Sequence, residues 1–189
     1  SWKEFRAKYY DYTITDSQWK NDFDSVENSI AEADSIVNSG TDLKAAHETL
    51  EGIRLGFMEL RKRNNMDYYI DNLTDFHGSM EHIYHSADDA DPASLTDADI
   101  DDLRSSLTDA SEIWALITAA EFDNTVFKLS DKKLNDKDMY MKKEASALKN
   151  MEAALNSKDA EKIIKTSLAI KPAYAKFYSL FGDFSFLEK

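Results

Sequence analysis

The sequence contains no cysteine. Disulfides, thiolate metal sites, covalent c-type haem attachment and a cysteine nucleophile are therefore all excluded. Glycine and proline are nearly as scarce, at 5 and 2 in 189 residues. Without that turn punctuation, the many short strands of a sandwich or barrel have few places to reverse. No run of about 18 apolar residues occurs, so no segment reads as a transmembrane helix. Cations are also short, with 23 Lys and Arg against 36 Asp and Glu and a formal net charge of −13. A surface of that sign repels phosphate backbones and anionic headgroups, which argues against nucleic-acid and peripheral-membrane roles. It suits solubility, attraction of cations, or a basic protein partner.

What the chain does have is helical periodicity. Its length points to one domain spanning 1–189. A hydrophobic fraction of 42% can build a core without a structural metal. Residues 1–14, rich in aromatics from Trp2 to Tyr12, read as an N-terminal arm or short helix. Thr15 and Gln18 have the spacing of a capping box ahead of Trp19, Phe23, Val26, Ile30, Ala33 and Val37. Leu43, Ala46, Leu50, Ile53, Phe57 and Leu60 mark a second long helix, closed by Arg61, Lys62 and Arg63 where the macrodipole favours cations. A third carries Met66, Tyr69, Leu73, Phe76, Met80, Ile83 and Ala87. Run as one helix, the second and third stripes would point roughly 160° apart, so a turn at Asn64-Asn65 is expected to fold them into an antiparallel hairpin.

Residues 86–95 form an acidic linker containing Pro92. Thr96 then caps a helix through Ile100, Leu103, Leu107, Ala110, Trp114, Ile117 and Glu121. A polar connection over 128–136 leads to a helix from about Lys137 to Asn156, with Met141, Ala145, Leu148, Met151 and Leu155 inward. The last helix starts near Ser157 and is kinked or split by Pro172. The expected fold is all-α, an antiparallel four-helix-bundle core with additional short helices.

The candidate chemistry lies in two His-x-x-x-Glu steps, His47 to Glu51 and His77 to Glu81, each spanning one helical turn. In a hairpin about Asn64-Asn65, His47 would face Glu81 and Glu51 would face His77. Two imidazoles and two carboxylates at one level could hold a divalent transition metal: zinc, iron or copper suits this mixed set better than a hard cation. Glu121 offers a further carboxylate from an inward position, as in carboxylate-rich bundle sites. The alternative is a salt-bridged interhelical network, favoured by the placement of Glu51 toward solvent and by Arg54 as a competing cation. Haem b is disfavoured, although His47, His77, Met58 and Met80 offer ligand types, because ligation across a bundle uses non-adjacent helices. His82 and His85 read as solvated residues, the alternative being a weak surface cation site with Asp88 or Asp89. The run Asp97, Asp99, Asp101, Asp102 lacks the glycine and terminal acid of a calcium loop and reads as a helix start. No nucleophile elbow or phosphate-binding glycine loop is present, so the reading leans away from an enzyme. The aromatic group Phe177, Tyr178, Phe181, Phe184 and Phe186 reads as core and tail packing.

In number, length and periodicity of helices the chain resembles bundles of the cytochrome b562 and cytochrome c′ kind. Leu50-Glu-x-Ile-Arg54, Arg61-x-Arg63-Asn-Asn65, Asp75-Phe-His77 and Met80-Glu81 together resemble a signature of exported helical-bundle proteins. The His-x-x-x-Glu steps are similar to the His-x-x-Glu of imelysin-like iron-uptake proteins. The resemblance implies export, and a chain beginning at Ser1 rather than Met is what signal-peptide removal would leave. The functional expectation is an exported, periplasmic, non-catalytic binding protein that holds a metal through His47, Glu51, His77, Glu81 and Glu121. The alternative is a protein-interaction or sensor module in which the His/Glu set is structural.

Overall fold

The computed structural model describes residues 1–12, 15–40 and 42–182. Those residues carry eight α-helices and one 3-10 turn, and among them there is no strand. The protein is all-α. Phe184 and Phe186 lie outside the described residues. No helix among the described residues is long and apolar enough to cross a membrane. Residue contacts group the chain into two compact units, Ser1–Tyr68 and Tyr69–Lys189.

The first unit holds α1 (Trp2–Tyr9), α2 (Trp19–Ser39) and α3 (Leu43–Arg63), with α2 packed along α3. The aromatic start is a true helix, because Ser1 accepts from the Glu4 amide while Glu4 reaches back, a complete capping box. The box anticipated at Thr15 does not form. Instead Asp16 accepts the Gln18 amide at 2.9 Å, and α2 begins at Trp19. The short carboxylate closes its own turn more readily than a threonine one residue earlier. It is also held by Arg63 at 3.1 Å and Asn64 at 2.8 Å, which tie the start of α2 to the end of α3. Gly40 ends α2 in the left-handed region at φ 67°, where a side chain would be strained. Trp19, Phe23 and Leu60 form a buried cluster of this unit, flanked by Trp2, Tyr9, Tyr10 and Phe57, and Val26, Ala33, Ala46 and Met58 are buried as well. At the opposite end of the helix pair Val37 is 51% exposed and Leu43 is 68% exposed.

The second unit holds α4 (Tyr69–Ala87), the 3-10 turn Pro92–Ser94, α5 (Asp97–Ala119), the single turn α6 (Asn124–Phe127), α7 (Asp131–Ser157) and α8 (Ala160–Ser179). Four long helices close a ring, with α4 on α5, α5 on α7, α7 on α8 and α8 on α4. The ring is pinned where Tyr174 donates to the Leu73 carbonyl at 2.7 Å, and where Arg104 reaches Asn156 at 3.0 Å and the Leu155 carbonyl at 3.1 Å. The anticipated polar connection over 128–136 is largely helix. Ser130 caps α7 by accepting from the Lys133 amide, so the helix starts six residues before the expected Lys137. Pro172 sits inside α8 without splitting it. Its exposed ring removes one amide from the ladder, while Ile170, Tyr174 and Phe177 keep the helix pressed to the core.

Thr96 accepts from the Asp99 amide while Asp99 reaches back to Thr96, so this box starts α5. Thr96→Ala is expected to lower stability by about 1 kcal/mol, and Thr96→Ser to retain most of it. The difference in urea midpoint at unchanged slope measures it.

Candidate functional site

The two His/Glu steps fall one in each unit. On α3, His47 is 65% exposed, and its Nε2 lies 3.7 Å from Glu51 Oε1. The other Glu51 oxygen accepts from the Arg54 guanidinium one turn on. On α4, His77 is only 14% exposed, with Nε2 3.3 Å from Glu81 Oε1 and the ring 5.7 Å from that of Tyr174. The same Glu81 oxygen faces Lys171 Nζ of α8 at 3.5 Å. Each step thus forms its own pair, and each carboxylate also faces a cation, Arg54 at Glu51 and Lys171 at Glu81. Arg54 competes for Glu51 as its spacing implied; Lys171 was not foreseen.

Glu121 is corrected. α5 ends at Ala119, Ala120 turns extended, and Glu121 stands exposed in the connection that follows. The periodicity carried two residues too far because Ala119-Ala120 contains no breaker; beyond it Phe122 stacks on Phe127 at 5.2 Å. Among the described residues no group of three or more His, Asp or Glu side chains is arranged to hold a metal ion. His82 is exposed and pairs with Asp102 at 2.8 Å rather than with Asp88 or Asp89. His85 stands edge-on to Tyr84. Asp97 and Asp99 occupy the first turn of α5, where the helix dipole favours them.

Sequence reasoning missed Glu144. It is fully buried on α7, and neither carboxyl oxygen has a hydrogen-bond partner by distance and angle. Burial pushes its pKa to about 8, outweighing the Tyr174 main chain, which favours the anion. The indole Nε1 of Trp114 on α5 is likewise buried and unpaired. The signal for Glu144 was present but ambiguous. Between Met141 and Leu148, either residue 144 or residue 145 satisfies helical spacing, and polarity favoured Ala145. The structure buries Glu144 and exposes Ala145.

A second missed feature is the distribution of charge. From 69 to 127 the chain has Arg104 as its single Lys or Arg, against fourteen Asp and Glu. From 128 to 176 it has twelve lysines against seven Asp and Glu. Within the second unit α4 and α5 are therefore acidic, while α7 and α8 are basic. The seam between α7 and α8 opens outward as a groove of about 660 Å³, lined by Lys142, Lys143, Ser146, Ala147, Asn150 and Thr166 among others. Asn150 and Thr166 also line its continuation of about 420 Å³, which adds Ser157, Lys162 and Lys165.

Compared with protein-family models, curated proteins and solved structures, the chain finds no match.

Glu144 makes stability fall with pH. Below pH 4.5 both the folded and unfolded chains hold its proton, and the contribution is complete. Between 4.5 and about 8 the unfolded chain releases the proton while the fold retains it, so stability declines. The loss over that window is on the order of 4 kcal/mol. In Glu144→Gln this slope is expected to vanish. Urea unfolding of both chains at pH 5, 6.5 and 8 checks it, and parallel curves would refute the assignment.

Proposed function

We propose that this chain is a non-catalytic helical-bundle binding protein, and that its docking surface is the outer seam of α7 and α8. The reading is supported by one observation above the rest: an open groove rimmed by lysines on a chain whose net charge is −13. A groove of several hundred Å³ is in the range of recognition sites. Most of its lining apart from the lysines is small or short and polar, with Met139 the one large apolar side chain among the described lining residues. In this reading the His/Glu steps are structural pairs, since Glu51 is bound by Arg54 and Glu81 by Lys171. Export, as the resemblance to cytochrome b562 and cytochrome c′ bundles implies, belongs to the same proposal.

A second reading, a zinc, iron or copper ion at the His/Glu steps, has one observation in its favour. His77 is mostly buried with Glu81 beside it at 3.3 Å. These two groups are fewer than the three or four protein ligands of stable zinc sites, and Lys171 would have to leave.

Two measurements separate the readings. For a structural pair, His77→Ala is expected to lower stability by about 1–3 kcal/mol, with a melting temperature indifferent to zinc or iron in parent and variant. A melting temperature that rises with metal in the parent and not in His77→Ala would favour the metal reading. For docking, peptides selected from an unbiased library on the parent chain are expected to lose binding to Ala169→Trp, which fills the groove from an exposed position. Selected peptides that bind the filled groove equally well would overturn the seam as the docking surface.

A further inference from the structure

We propose that the groove between α7 and α8 docks an acidic polypeptide segment of a partner protein. This inference rests on the binding-protein reading above and names the partner's chemistry. Lysines stand on both walls: Lys142 and Lys143 rise from α7, Lys162 and Lys165 from α8. Lys142 and Lys165 have no ion-pair partner among the described residues, so they hold uncompensated charge at the rim. Lys162 is held by Asp159 at 2.7 Å, and Lys143 lies over the Tyr140 ring at 5.4 Å. The one carboxylate in the wider opening, Asp138, is matched by Lys137 at 2.9 Å.

Between the walls the lining offers Ser146, Asn150, Ser157 and Thr166, which can donate or accept, Ala147, Ala153 and Ala169, which leave room, and the exposed Met139, which supplies apolar contact. The lined stretch runs from Asn135 to Ser157, about 33 Å of helix. That length seats a helix of some twenty residues or an extended strand of about ten. Charge complementarity selects an acidic occupant, because lysine rims steer anions inward and reject cations.

Nucleic acid shares the negative charge but is opposed by the rest of the unit. The fourteen Asp and Glu of residues 69–127 belong to α4, α5 and their connections. A duplex or long single strand extends well past a groove and would meet that repulsion, whereas a short acidic segment would not. Among the described residues that line the groove there is also no aromatic side chain on which bases could stack.

The test is fluorescence anisotropy of a labelled twenty-residue glutamate-rich peptide titrated with the full chain, beside single-stranded DNA of matched charge. Peptide binding is expected, weakening as salt rises, with DNA binding far more weakly. The double reversal Lys142→Glu with Lys165→Glu is expected to weaken peptide binding about tenfold or more. Lys132→Glu with Lys176→Glu changes net charge equally outside the groove and is expected to leave binding nearly intact. Equal weakening by the two pairs, or DNA binding as tightly as the peptide, overturns the proposal. If the glutamate-rich peptide fails while library-selected peptides still depend on Ala169, the acidic partner is wrong and the docking groove stands. If those peptides are also indifferent to Ala169→Trp, the binding reading itself falls.

Discussion

Four aromatic rings meet in the middle of the second unit, and the arrangement of its helices depends on their contact. Phe76 comes from α4, Trp114 from α5, and Tyr174 and Phe177 from α8. Phe76 lies 4.9 Å from Trp114 and 5.2 Å from Tyr174, and Trp114 lies 5.7 Å from Phe177. Such tilted and edge-on pairs add to the burial of large apolar surfaces. They also fix rotation, because a helix that offers an aromatic to a shared centre cannot turn without withdrawing it. Tyr174 adds a direction to this, since its hydroxyl ends on the Leu73 carbonyl and sets the axial level of α8 against α4.

α7 gives no ring to that centre, and its rotation is set by its own apolar stripe. α7 is bounded inside by Leu148, Met151 and Leu155 and outside by lysines. Glu144 is the exception on the inner side. In that position a charge would be opposed by burial with little compensation, so the carboxyl keeps its proton. Its neutrality bears on the groove. An ionised Glu144 would sit about one helix diameter, 10 Å, behind Lys142 and Lys143. At an effective dielectric near 20, a charge at that distance offsets on the order of 1–2 kcal/mol of the attraction an anion feels. Protonation removes this offset. The inner face therefore leaves the field of the outer one undiminished.

Helix class and most helix positions were legible in the sequence because periodicity and caps are local. Thr96 and Asp99 could be read as a box and form one. The stripes of α4 and α5 named Leu73, Phe76, Met80, Leu103 and Trp114, all buried. What failed was decided by competition between near-equal local choices. Asp16 displaced Thr15 as the polar group ahead of α2, Glu144 displaced Ala145 in the stripe of α7, and α5 ended at Ala119, leaving Glu121 outside it. Of the proposed site, the spacing within each His/Glu step was legible, since the distance from i to i+4 on a helix is fixed. Lys171 was not, because it reaches Glu81 from a helix ninety residues away in the chain. Tertiary neighbours of that separation leave no trace in spacing.

The charge argument changes most between sequence and structure. Summed over the chain, −13 directs attention to basic partners and away from anions. A summed charge governs solubility and long-range repulsion, but a docking segment responds to the field within a screening length, about 8 Å at physiological ionic strength. That distance is shorter than the width of a single helix. In a unit whose acidic helices are α4 and α5 and whose basic helices are α7 and α8, a ligand seated on one pair is screened from much of the other. The relevant quantity is then the charge of the seam, where Lys142 and Lys165 have no ion-pair partner among the described residues, and the net charge of the protein sets only how far from the surface that local attraction begins to prevail.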